Sequence, residues 1–171
     1  MLLTKQQKYL LAALEKLGCA ELRQLAALLQ KTFAFSSHED AVRVTNACTR
    51  QMQMGGLLQI SDNIVSHCGE RAVSQQIEAI DVMLELSAAQ PESFYAVDKH
   101  ILLRFALGEP SFKQFAIVSG SDPPPEHEIR QDEKIIALLP DRIKPEAFSY
   151  TRPVIFAIRQ ENGTHRFFAR K

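Results

Sequence analysis

Net charge is what this sequence lacks most plainly: twenty Lys and Arg balance twenty Asp and Glu over 171 residues. No overall electrostatic pull toward nucleic acid or an acidic membrane acts on the chain, so any such contact must rest on a local patch. Cysteine is scarce. Cys19, Cys48 and Cys68 are odd in number and widely spaced, which argues against a disulfide framework and suits reduced thiols filling small core positions. No apolar run approaches the roughly 20 residues that span a bilayer, so no membrane contact is expected. The start, Met1-Leu2-Leu3-Thr4-Lys5, runs into a helix signal without the basic segment and cleavage site of a signal peptide, and the expected compartment is the cytoplasm.

The short motifs of catalysis are missing too. There is no Gly-x-Gly-x-x-Gly, no Walker-type loop and no Gly-x-Ser-x-Gly elbow. His38, His67, His100, His127 and His165 lie far apart, and no ligand pair of the His-x-x-x-His or Cys-x-x-Cys kind occurs. The expectation is a protein that is not an enzyme and carries neither metal nor cofactor.

What is present is an ordinary globular composition, 46% hydrophobic and 23% charged, in a chain long enough for one domain or two small ones. Thr4-Lys5-Gln6-Gln7 has the form of a capping box. Leu10, Leu11, Leu14 and Leu17 follow at helical spacing, and Gly18 ends that helix. A second helix is predicted from about Ala20, with Leu22, Leu25, Leu28 and Leu29 inward and Glu21, Arg23 and Gln24 outward. Ser36-Ser37-His38-Glu39 repeats the start signal for a third, which runs to about Met54 before Gly55-Gly56. Its inner face is assigned to Val44, Cys48 and Met52, with Ala41 and Ala47 at the edges. Leu57 to Ile60 and Ile64 to His67 then flank the turn-rich Ser61-Asp62-Asn63 as a hairpin.

Three short helices followed by a hairpin resemble bacterial winged helix-turn-helix proteins. The similarity rests on Leu3-Thr4-Lys5-Gln6-Gln7, the Leu22/Leu25 helix, the polar helix with Arg43 and Arg50, and Gly55-Gly56-Leu57-Leu58. It implies a fold over residues 1–70 in which the third helix enters the major groove of double-stranded DNA. The outward residues have suitable chemistry: Arg43 and Arg50 for guanine, Asn46 and Gln53 for adenine, Thr49 for a phosphate or base edge. The alternative is the solvated side of an amphipathic helix. Residues 1–70 hold seven basic and six acidic side chains, and the wing tip carries Asp62 with no arginine or lysine, so a DNA contact is expected to be modest and to depend on dimerisation or a larger assembly.

Residues 71–90 are read as a linking helix with two apolar sides, Val73/Ile77/Ile80/Leu84 and Val82/Leu86, which fits a connector or a homodimer contact. From residue 91 to 171 short apolar runs alternate with turns: Phe94 to Val97, Ile101 to Phe105, Phe112 to Val118, Ile135 to Leu139, Val154 to Ile158 and Arg166 to Ala169. This half is predicted to be a small, largely antiparallel α+β domain ending in a hairpin. If Asn162-Gly163 makes a two-residue turn, Arg159, Arg166, Phe168 and Arg170 share one hairpin face, a second basic surface or an ion-paired one.

Over most of its length the chain also resembles replication-relaxation-type and related uncharacterised mobile-element proteins, whose second domain is similar to PD-(D/E)xK nucleases. That resemblance would imply an acid after one strand and acid-x-Lys on the next, holding magnesium. Pro140-Asp141 fits the first element, but Ala157-Ile158-Arg159 stands where the second belongs, and Asp132-Glu133-Lys134 comes before Pro140. What it implies here is therefore the fold without the active site.

Overall fold

The computed structural model describes residues 2–67, 73–108, 111–140, 145 and 148–169. Four α-helices and nine strands lie among them, an α+β composition. The chain divides into two compact units, residues 1–80 and 81–171, and the boundary falls inside one helix.

In the first unit, α1 (Lys5–Leu17) starts at Thr4. Its hydroxyl accepts from Gln7 N at 3.2 Å, while Gln7 Oε1 accepts from Thr4 N at 2.9 Å. Gly18 ends it at φ 73°, ψ −52°, a conformation that a Cβ would strain. The next three residues form a strand, β1 (Cys19–Glu21), where the sequence suggests the start of a helix. Pairing with distant residues overrides local preference there, since Cys19, Ala20 and Glu21 face Ser66, Val65 and Ile64. Helix α2 (Leu22–Thr32) follows, capped by Glu21 and Gln24 in a reciprocal box. Gln24 was expected to face outward. It is fully buried, because its amide also donates to Ile77 O at 2.7 Å.

Helix α3 (His38–Met54) and the hairpin of β2 (Leu58–Ser61) and β3 (Ile64–His67) complete this unit in a three-stranded antiparallel sheet of order β1-β3-β2. Leu10, Leu14, Leu17, Leu25, Leu28, Leu29, Met52 and Val65 close its core, each 0–1% exposed. Cys19 and Cys48 are buried free thiols, as core positions require, whereas Cys68 lies outside the described residues. Helix α4 (Ser74–Leu86) is held at its first turns by Gln76, whose amide donates to Leu17 O at 3.0 Å.

In the second unit, strands β4 (Ser93–Ala96), β5 (Ile101–Leu107), β6 (Lys113–Ser119), β7 (Glu133–Leu138), β8 (Val154–Arg159) and β9 (His165–Ala169) form one sheet in sequential order. The outer pairs are antiparallel, but β6-β7 and β7-β8 run parallel. Parallel neighbours need a long return path, and residues 120–132 and 139–153 supply it in place of hairpin turns. Ala116, Val118, Ile135, Ala137, Val154 and Phe156 line one sheet face, where Ile129 and Phe148 join the same core cluster. The alternate register positions carry His165, whose Nδ1 lies 2.8 Å from Glu85 Oε1 on α4. No helix among the described residues is long and apolar enough to cross a membrane.

Candidate nucleic-acid interface

Helix α3 is capped by Ser37, whose hydroxyl accepts from Asp40 N at 3.1 Å, one residue later than the Ser36 signal. Its buried positions are Ala41, Thr45, Cys48, Thr49 and Met52. Val44 is only half-buried and Ala47 is exposed, so the inner face is rotated from the Val44/Cys48/Met52 line. A strict four-residue spacing drifts around a helix of 3.6 residues per turn, and 41-45-48-52 follows the true stripe. Threonine hides this in the sequence. Thr49 Oγ1 donates to Thr45 O at 2.9 Å, so the hydroxyl is satisfied inside the helix and the residue can be buried at 0% exposure. Thr49 therefore does not stand on the outward face with the arginines.

The remaining outward residues do stand together. A shallow groove of about 510 Å³ along α3 is lined by His38, Glu39, Val42, Arg43, Asn46, Ala47 and Arg50. Gln53 is exposed one turn further on. Two lining residues matter that the sequence pattern does not mark as outward: Val42, which it leaves unassigned, and Ala47, which it puts at the edge of the inner face. Their spacing from Arg43, Asn46 and Arg50 would have placed them, but small apolar residues carry no polar signal of their own.

The two arginines differ electrostatically. Arg43 is 79% exposed, yet its Nη2 donates to Asp40 Oδ1 at 2.8 Å, so a carboxylate largely offsets its charge. Arg50 is exposed with no partner among the described residues, and the half-exposed Asn46 amide likewise has none there. His38, at the mouth of the groove, has its Nδ1 2.8 Å from Gln30 Oε1.

The hairpin tip is built differently from an extended wing. Asp62 and Asn63 have φ of 50° and 67°, and Ser61 faces Ile64, which makes a two-residue turn with both central residues left-handed. Leu22 N donates to Asn63 O at 2.9 Å, tying the tip to the start of α2. The hairpin is short and held close, and its tip offers Asp62 and no cation.

The expected second basic surface is divided by the register of β8 and β9. Ile158 faces Arg166 and Arg159 faces His165, so the two arginines occupy opposite faces of the hairpin. Gly163 N donates to Gln160 O at 2.9 Å and Gly163 takes φ 82°, which makes a three-residue loop of Glu161, Asn162 and Gly163. One added loop residue shifts the pairing and flips alternate side chains. Phe168 and Arg166 share a face, with Phe168 stacked on Phe156 at 5.4 Å between centroids. Arg170 lies outside the described residues.

No family model, curated protein or solved structure matches this chain. Glu133 is buried, with Oε1 2.9 Å from Arg104 Nε and Oε2 accepting from Arg130 N at 3.0 Å. Asp132 accepts from Gln114 at 2.8 Å. Both are engaged in holding the 120–132 connection, and Asp141 lies outside the described residues. His100 pairs with Asp122 at 3.2 Å and His165 with Glu85. Among the described residues, no three of His, Cys, Asp and Glu are grouped to hold a metal ion.

Proposed function

We propose that the first unit is a winged helix-turn-helix that binds double-stranded DNA through α3, and that the protein is a non-catalytic accessory or regulatory factor of the cytoplasm. The order of a winged helix and a small mixed domain, which carries the mobile-element resemblance, supports a plasmid or conjugative element as its setting. The observation that supports this reading best is the α3 groove, in which the Asn46 amide and the Arg50 guanidinium have no partner among the described residues. Both side chains match base-edge geometry, asparagine to adenine and arginine to guanine. The tethered, acidic hairpin tip leaves the helix as the contact, so each protomer makes few phosphate contacts and a homodimer would strengthen binding by presenting two helices.

The test is anisotropy of labelled duplex DNA against protein and salt. Binding that weakens with salt, and at least a tenfold loss in the Arg43→Ala/Arg50→Ala double variant, is the expected outcome. Unchanged binding in the double variant would reject the groove.

A second reading, an assembly module without nucleic acid, is favoured by one specific feature. Val42 and Ala47 put apolar surface into the α3 groove beside Glu39, and Met54, at the far end of the same helix, is 89% exposed. Sedimentation separates the two: a monomer at micromolar concentration that binds duplex contradicts a purely assembly role.

A further inference from the structure

Sequence readout by α3 need not be centred where a helix usually enters the groove. Recognition helices commonly approach bases with their N-terminal residues. Here that end carries Glu39 and Asp40 in its first turn. The Glu39 carboxylate repels the phosphates flanking a groove, and the Asp40–Arg43 pair adds little net charge to offset it. Moving one helical turn along, the balance reverses. Asn46, Ala47 and Arg50 are neutral or cationic and line the same groove.

We infer that the middle of α3 is the reading centre, with Asn46 specifying an adenine and Arg50 a guanine about two base-pair steps apart. The inference rests on the DNA reading above and deepens it. The spacing follows from geometry: four helical residues advance about 6 Å, and base pairs stack at about 3.4 Å, so a helix lying along the groove sets the two side chains roughly two steps apart. Asn46 presents a donor and an acceptor to adenine N7 and N6, and Arg50 two donors to guanine O6 and N7. Ala47, between them, has the size to touch a thymine methyl. Arg43, held by Asp40, is a positioning residue toward the backbone and reads no base.

The experiment is selection from a random duplex pool by the full chain, repeated with Asn46→Ala, Arg50→Lys and Arg43→Ala, with thermal melting as a check of folding. The wild type is expected to enrich sites with an adenine and a guanine about two steps apart. Arg50→Lys keeps the charge but loses the paired donors, so the guanine preference falls about tenfold while binding to unselected duplex changes little. Asn46→Ala removes the adenine preference alone, and Arg43→Ala leaves both preferences in place. If the wild type binds duplex but its preferences survive Asn46→Ala and Arg50→Lys, or fall with Arg43→Ala, the mid-helix assignment is overturned while the DNA reading stands. If the wild type binds no duplex at all, both fall.

Discussion

Asp40 and Arg43 form an ion pair one turn apart on α3, with Nη2 donating to Oδ1 at 2.8 Å. The pair removes a cation from the groove at the end where a phosphate backbone would approach. Asp40→Asn should raise duplex affinity several-fold and steepen its salt dependence by about one phosphate contact. It should also cost some helix stability, about 0.3–1 kcal/mol, because a carboxylate in the first turn favours the helix dipole. Anisotropy at three salt concentrations beside a thermal melt separates the two effects, and weaker binding would contradict the electrostatic argument.

Thr49 tests the rotation of α3. Its hydroxyl serves a carbonyl of its own helix, which the helical ladder also satisfies, so Thr49→Val should cost no more than the net worth of one hydrogen bond, about 0.5–1.5 kcal/mol, and leave DNA affinity untouched. Thr49→Lys places a charge at a site with 0% exposure and should unfold the first unit at ordinary temperature. Denaturant titration of both variants is the check, and a Thr49→Lys protein that is stable and binds DNA more tightly would place this residue outside after all.

Gly120 lies where the backbone of β6 passes close to β7. A Cβ there would stand 2.1 Å from Leu138 O, and Gly120 N already donates to that oxygen at 2.8 Å. Backbone cannot yield as a side-chain tip can, so Gly120→Ala should destabilise by at least about 2 kcal/mol. Gly163→Ala meets nothing within 4 Å but must adopt φ 82°, so its cost should be smaller, about 1 kcal/mol. Equal losses in urea titrations of the two would be contrary to this distinction.

How much of this was legible in the sequence depended on how local the signal was. The Thr4/Gln7 box and the Gly18 stop are encoded within a few residues and appear where the sequence puts them. The strand at Cys19–Glu21 was not legible, because its partner lies more than forty residues away and only folding brings them together. Thr45 and Thr49 look polar on paper and are both buried; the Thr49 hydroxyl is satisfied by Thr45 O inside the helix, whereas the Thr45 hydroxyl is buried without a hydrogen-bond partner among the described residues. Asn162-Gly163 announced a hairpin, but not whether its loop held two residues or three. That single residue decided that Arg159 and Arg166 part company. At the candidate interface Arg43, Asn46, Arg50 and Gln53 were legible from helical spacing, whereas the Asp40 pairing that divides the arginines requires side-chain geometry.

Glu126 gives a pH prediction. Its carboxylate accepts from Thr151 N at 2.8 Å, from Thr151 Oγ1 and from Arg152 N, and the Thr151 backbone bond is the main cause holding its pKa below the ordinary glutamate value. A carboxyl whose folded pKa is depressed contributes stability above its unfolded pKa of about 4.3, and this is lost as pH falls through the lower folded value. The melting temperature of Glu126→Gln should therefore lie below wild type at pH 7 and converge with it in acid. A gap independent of pH would show that these bonds do not depend on the charge.

The most direct measurement is an amide-shift titration of the isotope-labelled full chain with a duplex. Binding through α3 predicts that the backbone amides of Val42, Asn46, Ala47, Arg50 and Gln53 and the side-chain amides of Asn46 and Gln53 move first and most, while β8 and β9 stay in place. Shifts confined to the β8-β9 hairpin, or none anywhere, would contradict it.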